Sequence, residues 1–186
     1  VLGLVGMGGI GTAVASRARA MGLHVLGLRR SPNKPGIADA SPQGAHETFG
    51  PGQLHEMLER CDAVVIAAPA TPETHHMIND AALKAMKKGV VLVNVARGSL
   101  VDTAALLDNL DSHHIGAAVL DVFEEEPLPK ESPLWNTPNV FISAHSSVSV
   151  DRYMDDVFDL FEDNVKRFVA GNNLVNEIDM AALGFE

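Results

Sequence analysis

Cysteine is nearly absent from this chain of 186 residues, which contains one, Cys61. A single cysteine excludes an internal disulfide framework and a cysteine-rich metal site, and it is typical of a reducing compartment. We therefore expect a cytoplasmic protein in which Cys61 is a buried side chain. Basic residues are scarce as well: 14 Lys and Arg against 24 Asp and Glu give a net charge of −10. Such an acidic chain is not expected to bind nucleic acid.

Long hydrophobic runs are also missing. Gly, Pro, His or a charged residue interrupts each apolar stretch. None approaches the roughly 20 residues of a membrane-spanning helix, so we expect no membrane association. Hydrophobic residues nevertheless make up 46% of the chain and charged residues 20%, as in an ordinary globular protein. Val1 already lies in an apolar run that predicts a strand, so we expect a natural N-terminal part to be missing.

Short β-branched runs alternate with amphipathic or Ala-rich segments, which is the pattern of a parallel sheet covered by helices. The sequence predicts an α/β fold, a Rossmann-type doubly wound parallel sheet. We expect residues 1–150 to form a dinucleotide-binding domain and residues 151–186 to form a C-terminal helix and tail. Strands are predicted at 1–5, 24–28, 45–48, 63–67, 90–95, 115–121 and 140–143, and helices at 11–21, 53–60, 80–86, 103–110 and 151–169.

The first predicted strand runs directly into the glycine cluster GMGGIG, and a helix is predicted after it. In a dinucleotide site Gly6 permits the tight turn, Gly8 lets the backbone approach a pyrophosphate, and Gly11 allows the helix to pack closely on the strand. The N–H groups at the helix start then bind the phosphates. A glycine pattern alone is weak, and the alternative is a tight turn without a ligand. The strand before it and the helix after it favour dinucleotide binding.

The second predicted strand ends at Arg29-Arg30-Ser31. NAD-binding proteins place an acid there, about 20 residues beyond the glycines, to bind the ribose hydroxyls. A guanidinium group instead binds a 2′-phosphate through charge-assisted hydrogen bonds, and Ser31 adds a hydroxyl donor. We therefore expect NADP(H) to be preferred over NAD(H). The alternative is a pair of solvated surface arginines.

Three later apolar strands end in polar residues, namely Arg97, Asp121 and His145. The carboxyl ends of parallel strands meet at one sheet edge, where ligands bind, so these residues predict an active site. Glu126, restrained by Pro127, is placed to hold the imidazole of His145 and favour its protonated form. That pair would donate a proton to a carbonyl oxygen. Arg97 would bind a carboxylate or polarise the carbonyl.

The segments GMGGIG, APATPET, NVARGSLVD, DVFEEEP and SAHSS follow one another across nearly all of the chain. In this order they resemble the cofactor domain of the D-isomer-specific 2-hydroxyacid dehydrogenases, and NVARGSLVD with DVFEEEP is the most specific part. The resemblance implies that Arg97 binds the substrate carboxylate and carbonyl, that Glu126 orients His145, and that His145 is the acid/base. It also implies cofactor contacts from Gly9, Ile10, Pro69, Thr74, Val95, Ala96 and Asp121, beside Arg97 and His145.

The resemblance implies an oxidoreductase that transfers a hydride between NADP(H) and a small 2-hydroxyacid or 2-oxoacid, and that forms a homodimer through this domain. Residues 151–186 would return to a substrate domain. The alternative is a non-catalytic, NAD(H)-sensing corepressor of the same fold, which retains the Arg, Glu and His. The pair Arg29-Arg30 counts against that alternative. A formate-using relative would carry an amide in place of Glu126.

Two adjacent histidine pairs, His75-His76 and His113-His114, stand outside these motifs. Neighbouring residues point apart on a strand, and neither pair has the i, i+4 spacing of a zinc-binding helix. We interpret them as surface or supporting residues and predict no metal site.

Overall fold

A computed structural model describes residues 1–30, 44–147 and 151–178. Ser31 therefore lies outside the described residues. Within these ranges the strands are β1 (Leu2–Val5), β2 (Val25–Leu28), β3 (Glu47–Phe49), β4 (Ala63–Ile66), β5 (Val90–Asn94), β6 (Ile115–Leu120) and β7 (Val140–Ile142). The α-helices are α1 (Gly9–Ala20), α2 (Leu54–Leu58), α3 (Asp80–Ala85), α4 (Thr103–Asp111) and α5 (Tyr153–Val169), and single 3₁₀ turns lie at Pro51–Gln53, Pro72–Thr74, Gly98–Leu100 and Pro133–Trp135.

The strands form one sheet in the order β3-β2-β1-β4-β5-β6-β7, and every neighbouring pair is parallel. The chain builds outwards in one direction from β1 to β3 and then returns to start the other half at β4. The strand order therefore reverses between β1 and β4, which is the point at which doubly wound sheets bind ligands. The predicted Rossmann-type α/β fold is confirmed.

Strands β1 and β2 are apolar along their whole length, as is typical of a parallel sheet that helices cover on both faces. All four residues of β1 and of β2 are buried. Leu4, Leu26 and Leu92 are each 0% exposed. Truncating such a leucine to alanine in a packed core lowers the free energy of unfolding by about 2–5 kcal/mol. The strands are therefore packed firmly in the core and hold the loops at their ends in place.

The chain divides into two compact units, Val1–His145 and Ser146–Glu186. The division falls at His145, five residues before the boundary that the sequence suggests. In the second unit, the apolar side chains of α5 recur at helical spacing, as predicted, and acids fill the opposite face. The side chain of Asn164 binds the backbone N–H and C=O of Val175 at 2.8 and 3.0 Å. These bonds hold the segment after α5 against the helix.

Strand β3 begins later than predicted, at Glu47 instead of residue 45. The reason is local: the ring atom Nδ1 of His46 accepts a hydrogen bond from the backbone N–H of Val25, at 3.0 Å. The ring nitrogen takes the place of the backbone carbonyl that would accept this N–H in a regular ladder. Regular pairing therefore starts after His46, at Glu47. The strand then extends to Phe49, whose side chain is buried.

Cys61 is 0% exposed, as the sequence predicts. Burial raises the pKa of its thiol to about 11, and its Sγ donates to the carbonyl oxygen of Met57 at 3.1 Å. Among the described residues, no helix has the length and apolar character that a membrane span needs.

Glu47 should make the fold sensitive to acid. Hydrogen bonds from Arg60 and then His24 lower the pKa of Glu47 from 4.5 to about 2; the two Arg60 bonds measure 2.6 and 2.8 Å. Because the folded-state pKa is depressed, this contribution to stability is complete above pH 4.5 and is lost as the pH falls towards 2. Urea unfolding between pH 6 and pH 3 should therefore show a smaller acid-dependent loss in Glu47→Gln than in the parent.

Glu59→Gln is the matched control, since Glu59 is exposed and near Glu47's partner Arg60 in sequence. Identical pH dependence in Glu47→Gln and Glu59→Gln would refute a role of the Glu47 contacts in acid sensitivity.

Candidate active site

The glycine turn joins β1 to α1 at the strand-reversal point of the sheet. Gly6 has a φ of +102°, and a Cβ there would lie 2.6 Å from the backbone nitrogen of Ala68. A Cβ on Gly11 would overlap the carbonyl oxygen of Gly6. Only glycine fits at these two positions, because one needs the left-handed conformation and the other needs close packing of helix on strand.

Gly8 and Gly9 differ from those two glycines, because a Cβ at either would meet no atom within 4 Å. Gly8 is the N-cap of α1, and its first turn receives no side-chain cap. The first N–H groups of α1 therefore remain available to a ligand, with the positive end of the helix dipole behind them. Ile10 is 58% exposed at the same turn. This combination is suited to an anion.

Arg29 and Arg30 follow β2 directly, at the same sheet edge. The backbone N–H of Arg29 donates to the carbonyl oxygen of Phe49 at 3.0 Å, which fixes its position beside the end of β3. Arg30 lies close enough to Glu73 to influence the pKa of its carboxyl group. Hydrogen bonds from Thr71 and from the backbone of Glu73, and then the charge of Arg30, hold that pKa below its ordinary value. The charge of Arg30 is thus partly offset by an acid.

The APATPET loop follows β4 and faces the glycine turn across the reversal point. Its hydroxyl groups organise it from within. Thr74 Oγ1 donates to the carbonyl oxygen of Pro69 at 2.8 Å and accepts the backbone N–H of Thr71 at 2.8 Å. Pro69 and Thr74, both predicted cofactor contacts, are therefore joined to each other by a hydrogen bond.

Arg97 follows β5 on a turn that a buried asparagine shapes. Asn94 is 1% exposed; its Oδ1 accepts the N–H of Ala96 at 3.0 Å and its Nδ2 donates to the carbonyl oxygen of Arg97 at 2.9 Å. A buried amide with both ends bonded fixes the path of the backbone. Ala96 is buried and Val95 half-buried, whereas Arg97 is exposed. At this turn Nη1 of Arg97 donates to the carbonyl oxygen of Ala96 at 2.6 Å.

The N–H of Asp121, directly after β6, donates to the carbonyl oxygen of Asn94 at 3.0 Å. Asp121 is 4% exposed, and its carboxylate accepts a hydrogen bond from the hydroxyl of Ser143 at 2.6 Å. Because Ser143 lies two residues before His145, this bond connects the end of β6 to the segment that carries the histidine.

His145 and Glu126 meet, as the sequence predicts: Nδ1 of the imidazole lies 2.7 Å from Oε2 of the carboxylate. The other oxygen, Oε1, accepts the backbone N–H of Phe123 at 2.9 Å. Bonding to His145, then to Phe123, lowers the pKa of Glu126, and the charge of Arg97 contributes. An ionised carboxylate only accepts, so Nδ1 carries a proton and Nε2 remains for another partner. His145 itself has a φ of +50°.

The turn after Arg97 packs directly on the loop that carries Glu126. A Cβ on Gly98 would overlap the carbonyl group of Phe123. Gly98→Ala is therefore expected to lower the free energy of unfolding by about 3 kcal/mol, because neither backbone segment can yield without disturbing the other. Urea denaturation measures the change. Gly9→Ala, which has open space, is the control, and equal stability of the two variants would disprove the close contact.

A model of the D-isomer specific 2-hydroxyacid dehydrogenase, NAD binding domain, matches residues 1–147. The chain belongs to this family. The matched range contains the glycine turn, Arg97, Glu126 and His145, so the geometry described above lies inside the family's NAD-binding domain.

Two curated proteins illustrate the family relationship. The chain is 36% identical over 182 residues to a glyoxylate reductase of Korarchaeum cryptofilum. This alignment covers 95% of the chain and 52% of that protein. It is 34% identical over 182 residues to a D-3-phosphoglycerate dehydrogenase of Methanocaldococcus jannaschii, covering 96% of the chain and 33% of that protein. The chain thus spans about half the length of such relatives, or less.

Solved structures of this dehydrogenase family have the same fold. One is a D-isomer specific 2-hydroxyacid dehydrogenase from Xanthobacter autotrophicus in complex with NADPH and MES. Its TM-score against this chain is 0.85 at 35% identity, and the match covers 97% of this chain and 71% of that one. Another is an NADPH-dependent glyoxylate/hydroxypyruvate reductase from Sinorhizobium meliloti in complex with NADP and sulfate, with a TM-score of 0.85, 33% identity, and coverage of 97% and 56%.

The histidine pair His75-His76 differs from the expectation for adjacent residues. The two rings stack with centroids 4.1 Å apart instead of pointing apart, because the pair lies in a loop and His76 has a φ of +47°. Within the described ranges of the chain, no group of three or more His, Cys, Asp or Glu is arranged to hold a metal ion.

Sequence reasoning missed the buried side chain that shapes the arginine turn. Asn94 ends the apolar run VVLVN, and an amide at the end of such a run is the signal that would have found it. The contact between Glu124 and His76 was missed as well, because it is a hydrogen bond between distant loops, which no spacing in the sequence indicates.

Proposed function

We propose that this chain is the cofactor-binding part of an oxidoreductase that prefers NADP(H) to NAD(H) and interconverts a small 2-oxoacid and its 2-hydroxyacid. The observation that carries the proposal is the 2.7 Å hydrogen bond between His145 and Glu126. It lies at the carboxyl edge of the sheet, on the side where the glycine turn opens. Such a pair would supply the acid/base group that carbonyl reduction requires, at the sheet edge that also carries the glycine turn.

The residues at the reversal point fit a dinucleotide. Open space over Gly8 and Gly9 admits a pyrophosphate to the uncapped N–H groups of α1. Arg29 and Arg30 carry the charge that a 2′-phosphate requires, and a cofactor without that phosphate offers them no anionic partner. The remaining proposed contacts run from the pyrophosphate to the nicotinamide: Gly6, Ile10, Gly11, Pro69, Thr74, Val95, Ala96, Arg97, Asp121 and His145.

When bound, the nicotinamide ring supplies or accepts a hydride. The chain's own residues do the rest. Arg97 binds the substrate carboxylate and draws electron density from the adjacent carbonyl. His145 gives a proton from Nε2 to the carbonyl oxygen during reduction and takes it back during oxidation. Glu126 holds Nδ1, so that Nε2 faces the substrate.

Initial rates of NADPH and NADH oxidation by the full-length protein test the proposal, with glyoxylate, hydroxypyruvate and bulkier 2-oxoacids as substrates. The expected result is turnover that is faster, at equal concentration, with NADPH. An NAD(H)-sensing corepressor of the same fold would instead bind cofactor without appreciable oxidation. Turnover with NADH alone would overturn the NADP preference, but the assignment as an oxidoreductase would still stand.

The assembly of the full-length protein is also a proposal. The resemblance implies a homodimer through this domain, and α5 with the following residues would pack against the part that relatives carry beyond this chain. Apolar side chains of α5 suit such a contact: Phe158 is 62% exposed and Phe161 65% exposed. Sedimentation equilibrium distinguishes a dimer from a monomer.

A further inference from the structure

We propose that Glu124 and His76 are positioning residues that hold the Glu126 loop and the Arg97 turn in register for catalysis. The inference rests on the proposed function, since it assigns these two side chains a part in that reaction. Neither touches the reacting atoms in the scheme above. They act through Glu126 and Arg97.

Glu124 connects three separate segments. It lies on the loop after β6, two residues before Glu126. Its Oε1 lies 2.5 Å from Nε2 of His76, on the loop after β4. Its Oε2 accepts the backbone N–H of Thr103, the first residue of α4, at 3.4 Å. One carboxylate thus joins the loop of Glu126 to two elements on the opposite side of the arginine turn.

His76 completes the connection on that side. Its backbone N–H donates to the carbonyl oxygen of Ser99 at 2.8 Å, and Ser99 lies two residues after Arg97. The backbone of His76 is left-handed, with a φ of +47°, a conformation that residues with a side chain rarely adopt. Such a conformation persists where surrounding contacts hold it, and here the contacts reach both sides of the site.

The two sides of the site already touch through their backbones at Gly98 and Phe123. Phe123 also donates its N–H to Oε1 of Glu126 at 2.9 Å. A shift of Glu124 therefore moves the peptide that orients the Glu126 carboxylate, and with it the imidazole of His145. Because close packing leaves no slack between the loops, the pair Glu124–His76 fixes the relative position of the arginine and the histidine.

The pair is electrostatically consistent with this role. Partial burial opposes ionisation of Glu124, but hydrogen bonds from Thr103 and His76 outweigh it and hold the pKa of Glu124 below its ordinary value. The carboxylate therefore remains an acceptor at neutral pH. The neighbouring Glu125 is exposed, and its side chain makes no hydrogen bond or ion pair with the described residues, which makes it a matched control.

The test compares Glu124→Ala, His76→Ala, His76→Gln and Glu125→Ala in the full-length protein. The amide nitrogen of glutamine reaches about as far from the backbone as Nε2 of histidine, so His76→Gln keeps a donor for Glu124 and serves as the rescue variant. We expect kcat to fall about tenfold in Glu124→Ala and His76→Ala, as small misplacements of reacting groups do. The KM for NADPH should stay unchanged, and His76→Gln and Glu125→Ala should remain within about twofold of the parent.

A second readout does not need activity. In the 186-residue chain, the proton on Nδ1 of His145 should give a slowly exchanging NMR signal that is lost in Glu124→Ala and His76→Ala and kept in the other two variants. If the parent turns over no 2-oxoacid, the proposed function fails while this signal still tests the positioning pair. If Glu124→Ala does not fold, the comparison of His76→Ala with His76→Gln tests the inference. Parent-like kcat and an unchanged signal in His76→Ala would overturn the inference.

Discussion

Replacing His145 by asparagine should lower kcat about 1,000-fold, within the range that a general acid/base contributes, while the affinity for NADPH stays within about threefold. Asparagine suits this position for two reasons. It tolerates the left-handed backbone that His145 adopts, with a φ of +50°. Its amide nitrogen also keeps a donor for Oε2 of Glu126, as Nδ1 does now at 2.7 Å. The variant therefore removes proton transfer and preserves the surrounding contacts.

Steady-state rates with NADPH and a 2-oxoacid measure the loss in His145→Asn, and calorimetric titration measures the affinity. Glu126→Gln is the companion variant: it keeps the imidazole but weakens its orientation, so a smaller loss, about 10- to 100-fold, is expected. If His145→Asn retained more than a tenth of the parent's kcat, another group would have to supply the proton. Equal loss of NADPH binding and of turnover would point to a collapsed site instead.

Replacing Arg29 by aspartate should weaken NADPH binding about 100-fold and leave NADH binding equal or stronger. A hydrogen bond to a charged group is worth about 1.5–3 kcal/mol, and the new carboxylate adds repulsion of the 2′-phosphate. Arg29 is the residue chosen because its backbone N–H, which donates to the carbonyl oxygen of Phe49 at 3.0 Å, fixes its position beside the end of β3. In NADH the same aspartate gains the ribose hydroxyls as donors.

Calorimetric titration of the 186-residue chain with each cofactor measures both affinities in Arg29→Asp. Arg17→Asp is the control, because it makes the same charge change on α1, eight residues beyond Gly9 and about 12 Å along the helix axis. A comparable loss of NADPH affinity in both variants would show that net charge, and not a contact of Arg29, governs binding. An unchanged preference in Arg29→Asp would contradict the NADP assignment.

The strands and the position of the site could be predicted from the sequence because they depend on the hydrophobic pattern. Apolar runs such as LGLV are buried on both faces of a parallel strand, and the carboxyl ends of such strands meet at one edge. Polar residues that end these runs, Asp121 among them, were therefore predictable as neighbours. The pairing of Glu126 with His145 was predictable as well, since both motifs end at that edge.

Contacts between loops could not be predicted in this way. The stacking of His75 on His76 and the bond from His76 to Glu124 depend on a left-handed residue, and backbone conformation in a loop leaves no periodic signal. The late start of β3 has a similar cause: a side chain, His46, occupies a position that the strand pattern assigns to backbone. Local chemistry of single polar side chains decides these details.

Transfer of isotope from the cofactor to the substrate tests the central claim most directly. The full-length protein would be incubated with glyoxylate and NADPH that carries deuterium at C4 of the nicotinamide on the transferred face, and the glycolate formed would be analysed by NMR. The account predicts deuterium at C2 of the glycolate, and its absence from the His145→Asn reaction on the same timescale. Binding of the labelled cofactor without any labelled product, with each 2-oxoacid tried, would contradict the assignment of this site as an oxidoreductase.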